Sequence, residues 1–231
     1  GADHRAHLGR DDLAHRVSRE RIAEHKGMKL IGLMTHGVGT LHTNADVTSL
    51  DDISGLKLRI GGGVSGDVGA ALGATGIRVP APKVYETLAS NAADGVMMPM
   101  EGKASFKLFE VAKNTYTVPG GFYRGSFAMV MSEDAWAGIS AEDQAALDAV
   151  FGEKISGIAG AMWDTIDGVG MEALEADPEN TLREASADDA AKWAEMTGPI
   201  IDSVKAEVSA LGIDAEAAMS MIAADMAGAM N

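Results

Sequence analysis

The stretch from Leu56 to Val79, LKLRIGGGVSGDVGAALGATGIRV, decides what kind of fold this chain has. LKLRI is short, apolar and β-prone, and it reads as a strand. The glycines form a turn, DVGAALG runs on as a helix around 66–73, and IRV is a second strand stopped by Pro80. Strand, turn, helix, strand is the repeating unit of an α/β protein, expected here with mainly parallel sheets. Gly61, Gly63 and Gly66 also satisfy G-x-G-x-x-G, the spacing by which a backbone approaches a dinucleotide pyrophosphate. An α/β enzyme with a nucleotide cofactor at the Gly61–Gly66 turn is therefore one reading. Two features oppose it. The second strand ends at Val79-Pro80 with no acidic residue to hold a ribose. Asp67, directly after the third glycine, puts a carboxylate at the helix end where the pyrophosphate would sit.

With the glycines read as a tight turn, interest passes to Arg59. It stands at the carboxyl end of the first strand, where ligands of open α/β sheets bind. A guanidinium fork there suits a carboxylate, and the neighbouring helix N-terminus adds to the attraction. The competing reading is a surface arginine paired with one of the 34 acidic residues.

Upstream, residues 11–26 have helical spacing, 28–34 read as a buried strand, and 35–44 (THGVGTLHTN) read as a loop. Ser49, three residues before Asp52, opens a single helical turn. Downstream, 82–95 reads as a helix that starts at its proline, and Val96-Met97-Met98 as a short strand closed by Pro99. A helix over 101–113 follows, then two strand-like runs around Pro119-Gly120-Gly121, then caps at Ser132 and Ser140. Apolar residues from Leu147 to Val169 keep helical spacing almost to Pro178, which predicts one helix of about 35 residues, some 50 Å long at 1.5 Å per residue. Such a helix is longer than a small domain is wide and is expected to bridge two. NTLREAS reads as a strand and 187–230 as mostly helical.

Composition narrows the function classes. The 231 residues carry a net charge of −15, which repels phosphate backbones and anionic membrane surfaces, so nucleic acid is not an expected partner. There is no cysteine, which excludes disulfides and thiolate metal sites. No apolar run reaches the roughly 20 residues a bilayer requires. His4 and His7 are a weak zinc candidate, and neither a metal nor a cofactor is expected. His36 and His42 flank the GVGTL loop and are candidates for lining a cleft. The opening GADHRAHLGRDD lacks an initiator Met, so the start is expected to have been processed, cleaved or left out.

GLKLRI, LGATGIRVPAPKVYETLASNAADGV, SFKLFEVAKNTYTV and FAMVMSEDAWAGISAEDQAAL together resemble the solute-binding subunits of tripartite ATP-independent periplasmic (TRAP) transporters, from about residue 28 to 215. The order and spacing of these motifs make the resemblance specific. It implies a two-lobe fold like the type II periplasmic binding proteins, with hinge strands and one long helix spanning both lobes. Residues 1–36 and 125–163 would form lobe I, which lacks the N-terminal part family members carry. Residues 37–124 and 164–231 would form lobe II.

The resemblance also implies a function: capture of a small organic carboxylate between the lobes in the periplasm, after signal-peptide removal, and delivery to the membrane permease subunits by a monomer that is not an enzyme. The family's carboxylate-gripping arginine falls on Arg59. Contact positions known from the sialic-acid branch correspond to Gly39 and Met98, so the pocket is expected to be less polar than in that branch. Thr40 and Met97 adjoin them. Phe122, Tyr123 and Arg124 come to the hinge, where Arg124 either supplies a second anchor or points to solvent.

Overall fold

The computed structural model describes residues 25–229. The helix expected over 11–26, and His4 and His7, lie essentially outside that range. The chain divides into two compact units. One comprises the residues up to His36, Gly125–Asp164 and those from Ser203 onward; the other comprises Gly37–Arg124 and Thr165–Asp202. The expected segmentation placed all of 164–231 in the second lobe, whereas the stretch from Ser203 groups with the first unit.

The second unit is built on a six-stranded sheet. Its strands are β2 (Gly39–Thr43), β3 (Lys57–Ile60), β4 (Thr75–Arg78), β5 (Gly95–Pro99), β6 (Asn114–Thr117) and β8 (Thr181–Glu184), in the order β4-β3-β5-β2-β6-β8. The quoted stretch forms the expected unit: β3, helix α1 (Val64–Ala71), then β4 parallel to β3 with Arg59 opposite Ile77. Helix α2 (Val84–Ala89), preceded by a 3₁₀ turn at Ala81–Lys83, returns the chain to β5, parallel to β3 on its other side. Ser49 opens a 3₁₀ turn over Leu50–Ile53, with the Ser49 N–H donating to the Asp52 carboxylate.

The sheet is mixed: three of its five strand pairings are parallel, as expected, and two are antiparallel. The segment 35–44, expected to be a loop, contains the central strand β2, which runs antiparallel to both β5 and β6. Its polar residues misled because they are satisfied inside the sheet: His42 hydrogen-bonds the hydroxyls of Thr40 and Thr115. The helix expected over 101–113 is two short ones, α3 (Gly102–Ser105) and α4 (Leu108–Val111), separated at Lys107, which takes a left-handed conformation. Leu41, Leu50, Ile53, Leu58, Ile60, Val68, Tyr116 and Phe122 form one core around the sheet, with Trp193 packed edge-on to Phe122. Each such buried aliphatic or aromatic side chain contributes about 1.5–3 kcal/mol.

The first unit contains β1 (Met28–Thr35) paired antiparallel with β7 (Ser126–Ser132). Ser132 and Ser140 cap α5 (Glu133–Ala137) and α6 (Ala141–Asp148), as their sequence positions predict: each hydroxyl accepts from the backbone N–H three residues on. The long helix forms, but shorter than the expected length of about 35 residues. The turn at Ala149–Gly152 ends α6, and α7 (Glu153–Glu175) begins anew with 23 residues. Gly152 has φ +79°, outside the helical region, and its N–H donates to the Ile31 carbonyl of β1 instead of continuing a helix. Helix α7 starts in the first unit and ends in the second, and α8 (Ala187–Ala210) does the reverse. Helix α9 (Ala215–Ala229) follows, tied to α8 by a Lys205–Glu216 ion pair. Among the described residues no helix is long and apolar enough to cross a membrane.

Candidate ligand-binding site

Arg59 is only 6% exposed, although it belongs to the most solvated residue types. Strand β3 places it near the carboxyl end of the parallel pair β3–β5, opposite Val96. Its Nε–H donates to the Val79 carbonyl at 2.9 Å, the same strand end where a dinucleotide site would need a ribose-binding carboxylate. Exposed cations of this chain, such as Arg183 and Lys192, have acidic partners, but no described carboxylate lies within ion-pair distance of Arg59. Burial disfavours the charged guanidinium and lowers its pKa, while neighbouring Tyr123 opposes that shift. A buried cation without a counter-ion is costly, so this arrangement is stabilised when an anion arrives.

Tyr123 shapes the space beside Arg59. Its hydroxyl donates to the Met97 carbonyl at 3.1 Å, and its ring lies on Gly39, where an added Cβ would stand 2.2 Å from Cε1. The Gly39 N–H donates to the Tyr123 carbonyl, and its carbonyl accepts from the Phe122 N–H. Only glycine permits this approach. Burial pushes the phenol up to about 12; Arg59 opposes this and Glu101 adds a smaller push, so it remains a neutral donor at physiological pH.

The other sequence-predicted residues separate clearly. Thr40 and Met98 face each other across β2–β5, and the Thr40 hydroxyl donates to the Met98 carbonyl. Met97, Met98 and Phe122 are buried in the two cores of this unit, with Phe122 against Tyr116 and Trp193. Tyr123 lies on Gly39 and is coupled electrostatically to Arg59, which is as buried as Met98 and Phe122. Arg124 is half-buried just before β7. His36, in the first unit, exchanges hydrogen bonds with the Gly125 backbone and tilts against Phe127 and Trp163, whose rings stack 5.9 Å apart. His42 does not line a cleft: it is wholly buried, and burial, reinforced by nearby Lys103, lowers its pKa to about 3.

Two buried charged residues escaped the sequence reading. Lys103 is fully enclosed, its ammonium donating to the Ala112 carbonyl at 2.6 Å and to Asn180 Oδ1 at 3.1 Å, and desolvation lowers its pKa to about 8. It closes the end of α4, so its role is structural. Glu101, 5% exposed, stands two residues after the end of β5, and its N–H donates to Asp167 Oδ1 on α7. Burial raises its carboxyl pKa, the Ser105 hydroxyl opposes that, and Asp167 reinforces it. Lys103 and Glu101 sit in a run that reads as an ordinary amphipathic helix, and their partners are remote in sequence.

A mixed α/β sheet thus carries a buried arginine near its parallel strand ends, with no carboxylate paired to it among the described residues. The chain matches the family model "Bacterial extracellular solute-binding protein, family 7" (DctP) over residues 15–207 and belongs to that family. The C4-dicarboxylate-binding periplasmic protein DctP of Rhodobacter capsulatus is 25% identical over 81% of this chain and 56% of its own length. The chain thus spans little more than half of that curated relative. A TRAP periplasmic solute-binding protein from Bordetella bronchiseptica, solved with (R)- and (S)-mandelate, is 34% identical, covers 96% of this chain and 71% of its own, and superposes with a TM-score of 0.87. A TRAP solute-binding protein from Rhodoferax ferrireducens, solved with copurified benzoate, is 21% identical over 99% of this chain and 70% of its own, with a TM-score of 0.85. The fold is therefore that of the two-lobe, type II-like periplasmic binding proteins.

Proposed function

We propose that this protein is the extracytoplasmic solute receptor of a TRAP transporter, and that it holds a small organic carboxylate with a largely apolar body on Arg59. The observation that carries the reading is the buried Arg59 guanidinium, whose Nε is fixed on Val79 and which has no carboxylate partner among the described residues. The 34%-identical relative with bound mandelate supports an aromatic acid of that kind as ligand. The protein works in the periplasm without catalysis. The ligand is captured between two lobes, its extra affinity for the closed state drives closure, and a membrane permease receives it. Tyr123 and Gly39 shape the pocket beside the anchor, and Arg124 is a second candidate anchor.

Thermal unfolding of the full-length protein tests this. Mandelate at 100 times its Kd stabilises by about 2.7 kcal/mol, whereas neutral mandelamide does not. Equal stabilisation by both compounds would show that Arg59 is not gripping a carboxylate.

A further inference from the structure

Strand β5 outruns its parallel neighbour β3. Arg59 stands opposite Val96; β3 ends at the next residue, Ile60, whereas β5 continues past Val96 to Pro99. The end of β5 therefore extends beyond the carboxyl end of β3, the region in which ligands of such sheets bind. Three successive carbonyls of this overhang are each taken by a side chain from elsewhere in the same unit. The Tyr123 hydroxyl holds Met97 at 3.1 Å, the Thr40 hydroxyl holds Met98 at 3.0 Å, and Nε2 of His42 lies 3.3 Å from the Pro99 carbonyl.

The protons of this network have one consistent arrangement. A carbonyl only accepts, so the Thr40 proton goes to Met98 and His42 carries a proton on Nε2. That N–H also donates to the Thr40 oxygen, 3.0 Å away. His42 is fully buried and uncharged, so its Nδ1 is bare and accepts from the Thr115 hydroxyl at 3.1 Å. Donation thus runs one way, from Thr115 on β6 through β2 to the end of β5. We propose that Thr115, His42 and Thr40 are positioning residues of the ligand site, whose hydrogen-bond chain holds the overhanging end of β5 in the conformation against which the ligand binds. All three side chains are buried and act through the Met98–Pro99 backbone. Without the Thr115 hydroxyl, Nδ1 is buried with no donor. The ring relieves that cost by turning or changing tautomer, and either change loosens Thr40 and Pro99. This inference rests on the reading of Arg59, which neighbours β5, as the carboxylate anchor.

The test uses the full-length protein with mandelate as the probe. Thr115→Val keeps the shape of the side chain and removes the hydroxyl, whereas Thr115→Ser keeps the hydroxyl and removes the methyl group. In titration calorimetry Thr115→Val should bind mandelate roughly three- to tenfold more weakly, the scale of one relaxed hydrogen bond, while Thr115→Ser stays within about twofold of wild type. A role in packing alone would give the opposite order, since serine leaves the cavity. Thr40→Val and Thr40→Ser should repeat the pattern. Nitrogen NMR of wild-type His42, which needs no variant to fold, should show a protonated Nε2 and a bare Nδ1. A proton on Nδ1 in wild type overturns the chain of donation. Wild-type mandelate affinity in the folded valine variants overturns its role at the site. Undiminished binding by Arg59→Ala, or no binding of mandelate or any other aromatic monocarboxylate by wild type, overturns the anchor reading and this inference with it.

Discussion

Arg59 and Gly39 illustrate how single residues set this site. Arg59 stands out in the sequence as a candidate by its position: a cation one residue before a strand end, followed by a glycine turn and a helix N-terminus. What sequence could not show is that the guanidinium is buried and has no counter-ion among the described residues, since that depends on where the acidic side chains come to rest. Gly39 makes no hydrogen bond through a side chain, yet the Tyr123 ring needs its missing Cβ. Gly39→Ala should displace that ring. The expected cost is about 1–3 kcal/mol of stability in denaturant unfolding, with weaker mandelate binding. Retention of both stability and affinity would mean that the tyrosine contributes nothing at its observed position.

Among the elements, β2 shows best where the sequence reading stopped. Its alternation of histidine and threonine resembles a loop because polarity usually signals exposure, but Thr40 bonds His42 and the Met98 carbonyl, and His42 bonds Thr115 on β6. The long helix is shorter than expected for the opposite reason. Its apolar period continues through the break, and only the conformation of Gly152 stops it. Strand β2 also carries a pH signature. His42 has a folded-state pKa near 3, below its ordinary 6.5, because burial opposes its charged form. Between those values the unfolded chain takes up a proton that the folded chain refuses. The stability involved is therefore complete above about pH 6.5 and declines as pH falls toward 3, at up to about 1.4 kcal/mol per unit. His42→Gln should remove this increment, so that wild type loses more stability than the variant between pH 6.5 and 5. Parallel stability–pH curves would contradict the buried neutral histidine.

For the whole molecule, the β–α–β unit, the family and the α/β class were legible because they reside in local periodicity and in the order of several motifs. The mixed strand order was not, because the direction of β2 depends on pairings with β5 and β6 that no local pattern encodes. The assignment of residues from Ser203 onward to the first unit was equally invisible, since helical spacing continues unbroken through that position. Binding is the property that joins these scales. The most direct measurement is calorimetric titration of mandelate into the full-length protein and its Arg59→Ala variant. Removing a charge-assisted, bidentate contact should weaken binding by about 2–4 kcal/mol, roughly 30- to 1000-fold, with the variant still folded. Equal affinity in the two proteins would contradict the placement of the carboxylate on Arg59.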